Sequence, residues 1–452
     1  MKGIDDSAFM GHLQMIWEPL CQSLFLGLEP GEELAVYLQA EHSDFLRFNQ
    51  SRIRQQGQVL EANVTLILQK DRKEWSGTWT LGLDLEQDKA TLSRVLKAAR
   101  WDLKALPEDP FFTPLAPPST STQERKGRLT AFENVPKILF EKTSDLDLVG
   151  IYASGPQVRA LRSSTGHSHW FWADTFTLDY SACHDSGKAV KKIYADVTFD
   201  IEFYLKQIID CRKQLLALNL ELISPPPGNY RVYLEPGAFA ELMPMFSWHG
   251  LSEREMRQNT SAFLALRSGE RQLSPQFTMV EDLSQGLCPR FGETGSLASS
   301  KTVLIQNGKL MHTLVSDRSA LEFGVPTNGA NGWEGLRSPC VWPGTLEEGD
   351  VLEKLGTGFY LPNLHYINWS QRETASLTGM TRHAAFWVEG GKIKGPISDL
   401  RFDVSLYDLL GSDLEGLTRQ TQYIPEVSTY SSRHLGGVQL PGLLVSRMNF
   451  TL

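Results

Sequence analysis

The sequence predicts an α+β fold, with an N-terminal mixed α/β-layer domain over residues 1–223 and a mostly antiparallel, β-rich C-terminal domain over residues 224–452. Three observations carry that expectation. The first half sets runs of period two between segments of period 3.6. The second half breaks into short strands punctuated by Gly-containing turns. Between them Ser224-Pro225-Pro226-Pro227-Gly228 interrupts the chain, and because proline removes a backbone donor and biases its predecessor away from helix, this run is the natural boundary.

Taken in order, Leu13, Ile16, Leu20, Leu24 and Leu26 predict an amphipathic helix over about 8–27, stopped by Glu29-Pro30-Gly31. The period then changes to two. Leu34, Val36 and Leu38, then Leu46 and Phe48, then Leu60, Ala62, Val64, Leu66 and Leu68 predict an antiparallel meander with one buried face, continued by Trp75, Trp79 and Leu81. Leu92, Val95, Leu96 and Ala99 mark a second helix over roughly 87–105. The Pro-, Ser- and Thr-rich segment 107–127 is expected to be an exposed surface connection, with Phe111 and Phe112 pinned into a groove. Strands resume at 148–152, 158–162, 170–180 and 193–198, and Tyr204, Ile208, Cys211, Leu215, Leu218 and Leu222 predict a closing helix.

Past the boundary, residues 230–234 are aromatic and β-branched, which predicts a strand ended by Pro236-Gly237. Ala238, Phe239, Leu242, Met243 and Phe246 recur at three- and four-residue spacing, so a helix is expected to follow, carrying Trp248 and His249 towards a cleft. Further strands are expected at 277–280, 302–306, 309–315 and 385–389. Asn307-Gly308 and Gly390-Gly391 are hairpin signals, because a type I′ turn needs positive φ at both centres.

Composition narrows the function. The chain has 452 residues, 41% of them hydrophobic, enough for sizeable cores. With 44 basic and 53 acidic residues the net charge is -9, which offers no footprint for a nucleic acid or an anionic membrane surface. The five cysteines are scattered, without CxxC spacing, so a reducing, cytoplasmic setting is expected. No basic start leads into a signal-like apolar run, and no stretch approaches the roughly 20 apolar residues of a membrane helix, so the protein is expected to be soluble. His167-Ser168-His169 sets two imidazoles on one face of a strand, where they could share a metal if a third ligand converged; none is identifiable, and a polar strand end beside Trp170 and Trp172 is the plainer account. His184-Asp185-Ser186-Gly187-Lys188 lacks the spacing of a P-loop or a nucleophile elbow and reads as a turn.

The order of four segments resembles the TldD/PmbA family: the 230–251 stretch YRVYLEPGAFAELMPMFSWHGL, CPRFGETG at 288–295, LVSDRSALEFGVPTNGA at 314–330 and TGMTRHAAFWVEGGKIKGPISDLRF at 378–402. The resemblance covers most of the chain and implies the same two-domain α+β organisation. TldD-like members are zinc peptidases with HExxxH followed by Gly and Leu, and a cysteine near the C-terminus completes the ligands. In that register Pro244 stands in place of the first ligand and Met245 in place of the general base, no cysteine follows Leu417, and His249 alone remains as a candidate metal or catalytic residue, followed by Gly250-Leu251. Proline has no side-chain donor and a thioether does not exchange protons.

The resemblance therefore implies the PmbA/TldE-like class: a subunit without zinc that gives interface and peptide-binding surface, partnered in a homo-oligomer or with an HExxxH-bearing TldD-like paralogue, and handling unfolded peptides. No cofactor is assigned on this reading. Zinc enters only under an alternative, an active peptidase in which His249 is joined by His312, His365, His383 or a carboxylate. A further alternative is a non-proteolytic binding module, and an ordinary helix-end role for His249, satisfied by a carbonyl or by water, stays open. Arg372, Thr378, Gly379, Arg382 and His383, read as groups about a tight turn, are candidates for holding a peptide terminus or a phosphate, against a solvated loop or subunit contact.

Overall fold

A computed structural model of the chain describes residues 6–284, 288–429 and 432–451. Two sheets dominate it, one formed by strands before Ser224 and one by strands after Gly228 or beginning at it.

The first sheet grows from a long hairpin. Helix α1 (Asp6–Phe25) leads into β1 (Glu33–Asn49), β2 (Arg52–Lys70) and β3 (Lys73–Thr80). No glycine marks the turns between these strands. Gln50 and Ser51, then Asp71 and Arg72, nonetheless all take left-handed φ of 50 to 58°, which supplies tight two-residue hairpin turns. Helix α2 (Leu85–Ala105) follows, its first turn capped by the Asp84 carboxylate. Leu13, Ile16, Leu20 and Leu24 of α1 and Leu92, Leu96 and Ala99 of α2 pack on Leu34, Val36, Leu38, Val64, Leu66 and Leu68. Leu26, expected on the apolar stripe, lies past the helix end and is exposed.

The 107–127 connection is not wholly exposed. Its end forms β4 (Thr120–Arg125), parallel to β6, and Leu115 is buried while Phe111 and Phe112 are half-buried. After α3 (Val135–Glu141) come β5 (Asp147–Ser163), β6 (Ser168–Cys183), β7 (Ala189–Asp196) and α4 (Ile201–Leu218). The strand order is β3-β2-β1-β5-β6-β4, with β7 also on β6. Leu222, placed on the apolar stripe by spacing, falls beyond α4 and is exposed.

The second half starts with β8 (Gly228–Leu234) and α5 (Pro236–Ala240). The helix expected to run on to Phe246 stops at Ala240, and a separate 3-10 turn spans Met243–Phe246. Pro244 has no N–H to return to the Ala240 carbonyl, so the α-helix cannot pass through it. The apolar residues stay inside all the same: Ala238, Phe239, Leu242, Met243, Met245 and Phe246 all belong to one buried cluster. Helices α6 (Glu253–Arg257) and α7 (Leu264–Ser268) precede β9 (Met279–Asp282), β10 (Lys301–Gln306) and β11 (Lys309–Leu310). The strand expected over 309–315 ends early, because His312, Leu314 and Val315 turn to other partners: the Val303 carbonyl, the Leu251 carbonyl and Asn328. Asn307 and Gly308 do take φ of 48° and 78°, and Gly390 and Gly391 take 58° and 74°, as type I′ turns require.

Helix α8 (Asp317–Phe323), β12 (Pro339–Val341), α9 (Val351–Leu355) and β13 (Gly358–Leu361) are followed by β14 (His365–Gln371), β15 (Ser376–Met380), β16 (Phe386–Glu389), β17 (Lys392–Pro396), β18 (Arg401–Ser405), α10 (Leu406–Leu409), β19 (Leu414–Pro425) and β20 (Gly437–Phe450). Pairing in this sheet is antiparallel except between β12 and β20 and between β8 and β13. The expected tight turn at Thr378-Gly379-Met380 is instead a strand between β14 and β18. The β19–β20 connection crosses to the first sheet, where the buried Arg433 donates to Ser43, the Gly155 carbonyl and both oxygens of Thr175. No helix among the described residues is long and apolar enough to cross a membrane.

Candidate functional site

His249 sits on a backbone corner that the surrounding chain over-determines. Its φ is 55°, a left-handed conformation rare outside glycine, and at Gly250 a Cβ would overlap the backbone of Phe246. Three hydrogen bonds pin the corner: Leu251 N–H to the Phe246 carbonyl at 2.8 Å, Ala262 N–H to the His249 carbonyl at 2.8 Å, and Ser261 Oγ to the Gly250 carbonyl at 2.6 Å. Two outer segments frame it. Trp369 on β14 donates Nε1–H to the Trp248 carbonyl at 2.9 Å, and Leu336 N–H reaches Ser247 Oγ at 2.9 Å.

The side-chain partner of His249 is Glu255, in the first turn of α6, with Nδ1 3.1 Å from Oε1. The contact is close but poorly aligned for a hydrogen bond, and Glu255 Oε2 is buried without a donor. Burial pushes the Glu255 carboxyl above the usual carboxylate range, with His249 and then Arg254 drawing it back. Behind this pair lies Glu334, fully buried, whose oxygens accept from Ser252 Oγ, Arg254 N–H, Ser316 N–H and Ser316 Oγ at 2.5, 2.9, 2.8 and 2.8 Å. Burial opposes its charge, yet these donors outweigh burial and hold the carboxyl below its ordinary range. Glu334 thus ties the starts of α6 and α8 into one support under the His249 corner.

Pro244 and Met245 occupy unlike places. Pro244 is exposed, while Met245, 2% exposed, is packed into the core with Leu242, Met243 and Phe246. The residues present do not fit a zinc ion. His249 has one ring nitrogen turned to Glu255, and no group of three His, Cys, Asp or Glu side chains able to hold a metal exists among the described residues. The other histidines considered as ligands make contacts of their own. His312 Nδ1 bonds the Val303 carbonyl at 2.8 Å. His365 Nε2 accepts from the Arg382 guanidinium at 2.9 Å, and its ring lies 6.0 Å from that of His383. Burial, then Lys191, His365 and Arg382, push His383 down to about 4.

Of the expected substrate-binding residues, Arg382 and His383 therefore come together, through His365. Thr378 instead accepts from Arg401 Nε at 3.0 Å, Gly379 is pressed under the Phe402 and Ile367 side chains, and Arg372 lies on an exposed 3-10 turn, Arg372–Thr374. His167 and His169 are both buried and hydrogen-bonded to Ser119, with further bonds to the Ala116 carbonyl and Ser121. His184 bonds Ser186 Oγ at 2.9 Å within its turn and Asn219 Oδ1 at 3.2 Å. Sequence reasoning missed Glu255 and Glu334. Ser252-x-x-Glu255 is a capping-box pattern, and Ser252 Oγ does accept from Glu255 N–H, so Glu255 carried a signal. Glu334 carried none.

The family model described as the PmbA/TldA metallopeptidase C-terminal domain matches residues 227–452. Metalloprotease PmbA of Escherichia coli O157:H7 is 26% identical over 196 residues, 41% of this chain and 39% of that protein. Metalloprotease MJ0996 of Methanocaldococcus jannaschii is 24% identical over 243 residues, 52% of this chain and 51% of that protein. The chain thus matches about half or less of the length of these curated relatives. Among solved structures, TldE from Thermococcus kodakarensis superposes with a TM-score of 0.74 at 15% identity, covering 97% of this chain and 100% of that one. A Thermotoga maritima protein described as a proposed modulator of a DNA gyrase gives 0.76 at 17% identity, covering 96% and 100%. The fold is shared across these structures, and with half of its length matched by the family model the chain belongs to the PmbA/TldD family.

Proposed function

We propose that this protein is a TldE-like subunit of a peptide-degrading or peptide-processing assembly, contributing interface and peptide-binding surface without binding zinc itself. The observation that carries the reading is Met245. It stands where the family places a general base, and it is a core residue packed with Leu242, Met243 and Phe246 rather than a group facing water. The β14 edge supports the peptide-binding part. Among the described residues it pairs with β15 alone, slips register twice, and sits beside Trp248 through Trp369. An extended peptide adds to such an edge through main-chain hydrogen bonds, which accept many sequences. The alternative of an active, non-standard metal site has Glu255 beside His249 in its favour and, among the described residues, no third donor.

Metal analysis of the purified protein tests the reading. The expected result is no stoichiometric metal, with an HExxxH-bearing homologue co-purifying; stoichiometric zinc that is lost in His249→Ala would overturn it. Restoring Pro244→His and Met245→Glu together is expected to give no metal-dependent peptide hydrolysis. It should also destabilise the fold by about 3 kcal/mol or more, because the new carboxylate enters an apolar core. Pro244→His alone, at an exposed position, should fold normally by thermal melting.

A further inference from the structure

An unpaired guanidinium stands at the first residue of β14. Arg382, two residues past the end of β15, reaches back to His365, where its Nη1 donates to Nε2 at 2.9 Å. It is exposed and has no carboxylate partner among the described residues. The charges around it are already matched. Asp399, which acts on His383, is held by Lys188 at 2.7 Å, and Lys191, which acts on both histidines, rests against Asp179 at 3.7 Å. Burial, with Arg382 and then Lys191 adding to it, holds His365 below its ordinary range. Because Nε2 accepts from Arg382, the neutral ring carries its proton on Nδ1, and that N–H has no partner among the described residues.

The strand breaks at the same place. The register of β14 on β15 slips between His365 and Asn368. Tyr366, inside the slip, is 75% exposed and takes φ of 58°, an outlier for a bulky side chain. Bulges of this kind end regular pairing and re-aim side chains. A strand laid on the open edge of β14 therefore loses its ladder beside His365, next to the free donors of Arg382.

We propose, resting on the reading of the chain as a peptide-binding subunit, that Arg382 and His365 take the free C-terminal carboxylate of a peptide lying antiparallel on the β14 edge. Charge fixes the direction. Antiparallel pairing sets the last peptide residue against His365, whereas parallel pairing would set an ammonium group against the guanidinium. A carboxylate there gains charge-assisted hydrogen bonds, roughly twice as strong as neutral ones. The edge His365–Gln371 is 7 residues long and spans roughly 23 Å. Main-chain bonding along it tolerates many sequences, while the cationic end demands a chain terminus. The substrate class is then linear peptides with free carboxyl ends, in preference to internal segments of intact chains.

Fluorescence anisotropy with the full chain tests this. The probe is a mixed-sequence pool of peptides of 7 residues, the length of the edge, labelled with fluorescein at the N-terminus and prepared both as free acids and as C-terminal amides. The acids are expected to bind roughly tenfold or more tightly than the amides at low salt, with the difference shrinking as ionic strength rises. Arg382→Gln should remove the difference and, being at an exposed position, should melt as the parent does. Arg382→Lys should keep part of it, since the charge stays and the planar fork is lost. Equal binding of acids and amides to the parent would overturn the inference and leave the peptide-binding reading standing, as would an acid preference that survives Arg382→Gln. Binding of neither pool would overturn both, and inorganic phosphate bound by such a protein in calorimetry would make Arg382 a small-anion site instead.

Discussion

His169 shows how burial, not sequence neighbourhood, sets a residue's chemistry. Two histidines on one strand face suggest a metal pair, yet both are buried, His169 stacks 4.9 Å from Phe291, and serines 119 and 121 satisfy their rings. Burial, with His167 adding to it, pushes His169 from 6.5 down to about 4. Between those values the unfolded chain takes up a proton that the folded chain refuses, so stability falls as pH drops through that window and levels off below it. The loss is expected to reach about 3 kcal/mol at most. Urea melts at pH 7 and at pH 4.5 should show it, and His169→Asn should flatten the slope between them. Glu334 is the opposite case, a buried carboxylate kept charged by its donors. Glu334→Ala strands the hydroxyls of Ser252 and Ser316 and two backbone N–H groups, and it should cost about 3–5 kcal/mol in chemical denaturation, with Glu334→Gln costing less.

Elements were legible where their signals are local. Helix α2 has its stripe, an Asp84 carboxylate accepting from Glu86 and Gln87 N–H, and Glu86 and Asp88 in the first turn. Asp84→Ala should lower stability by about 1 kcal/mol, read as a shifted melting midpoint, and Asp84→Ser should recover most of it. Both type I′ turns announced by Asn-Gly and Gly-Gly formed, whereas Gln50-Ser51 and Asp71-Arg72 adopt the same left-handed geometry with no glycine to announce it. The stretch 238–246 shows a true signal with a wrong consequence. Its spacing marked the buried residues correctly, but Pro244 removes the hydrogen bond that would have joined α5 to the next turn.

For the molecule as a whole the decisive contacts are long-range. Arg433, 4% exposed, leaves the second sheet's β19–β20 connection and donates to Ser43 on β1, to Gly155 on β5 and to Thr175 on β6. Its own backbone N–H reaches Glu41, and Gln157 donates to its carbonyl. Arg433→Ala should lower stability by about 3 kcal/mol or more, since it leaves several buried acceptors unpaired. Arg433→Lys should rescue little, because one ammonium cannot span the acceptors a planar guanidinium reaches at once; equal denaturation midpoints for the arginine and lysine proteins would refute this. Sequence by itself determined the α+β class and the position of most helices and strands, because period, turn chemistry and residue type are local properties. Only the tertiary structure decided that Met245 faces a core, that Glu255 stands beside His249 over Glu334, and that His365 joins Arg382 to His383. Each of those depends on which distant segments meet, and residue spacing along one strand or helix carries no record of what packs against it.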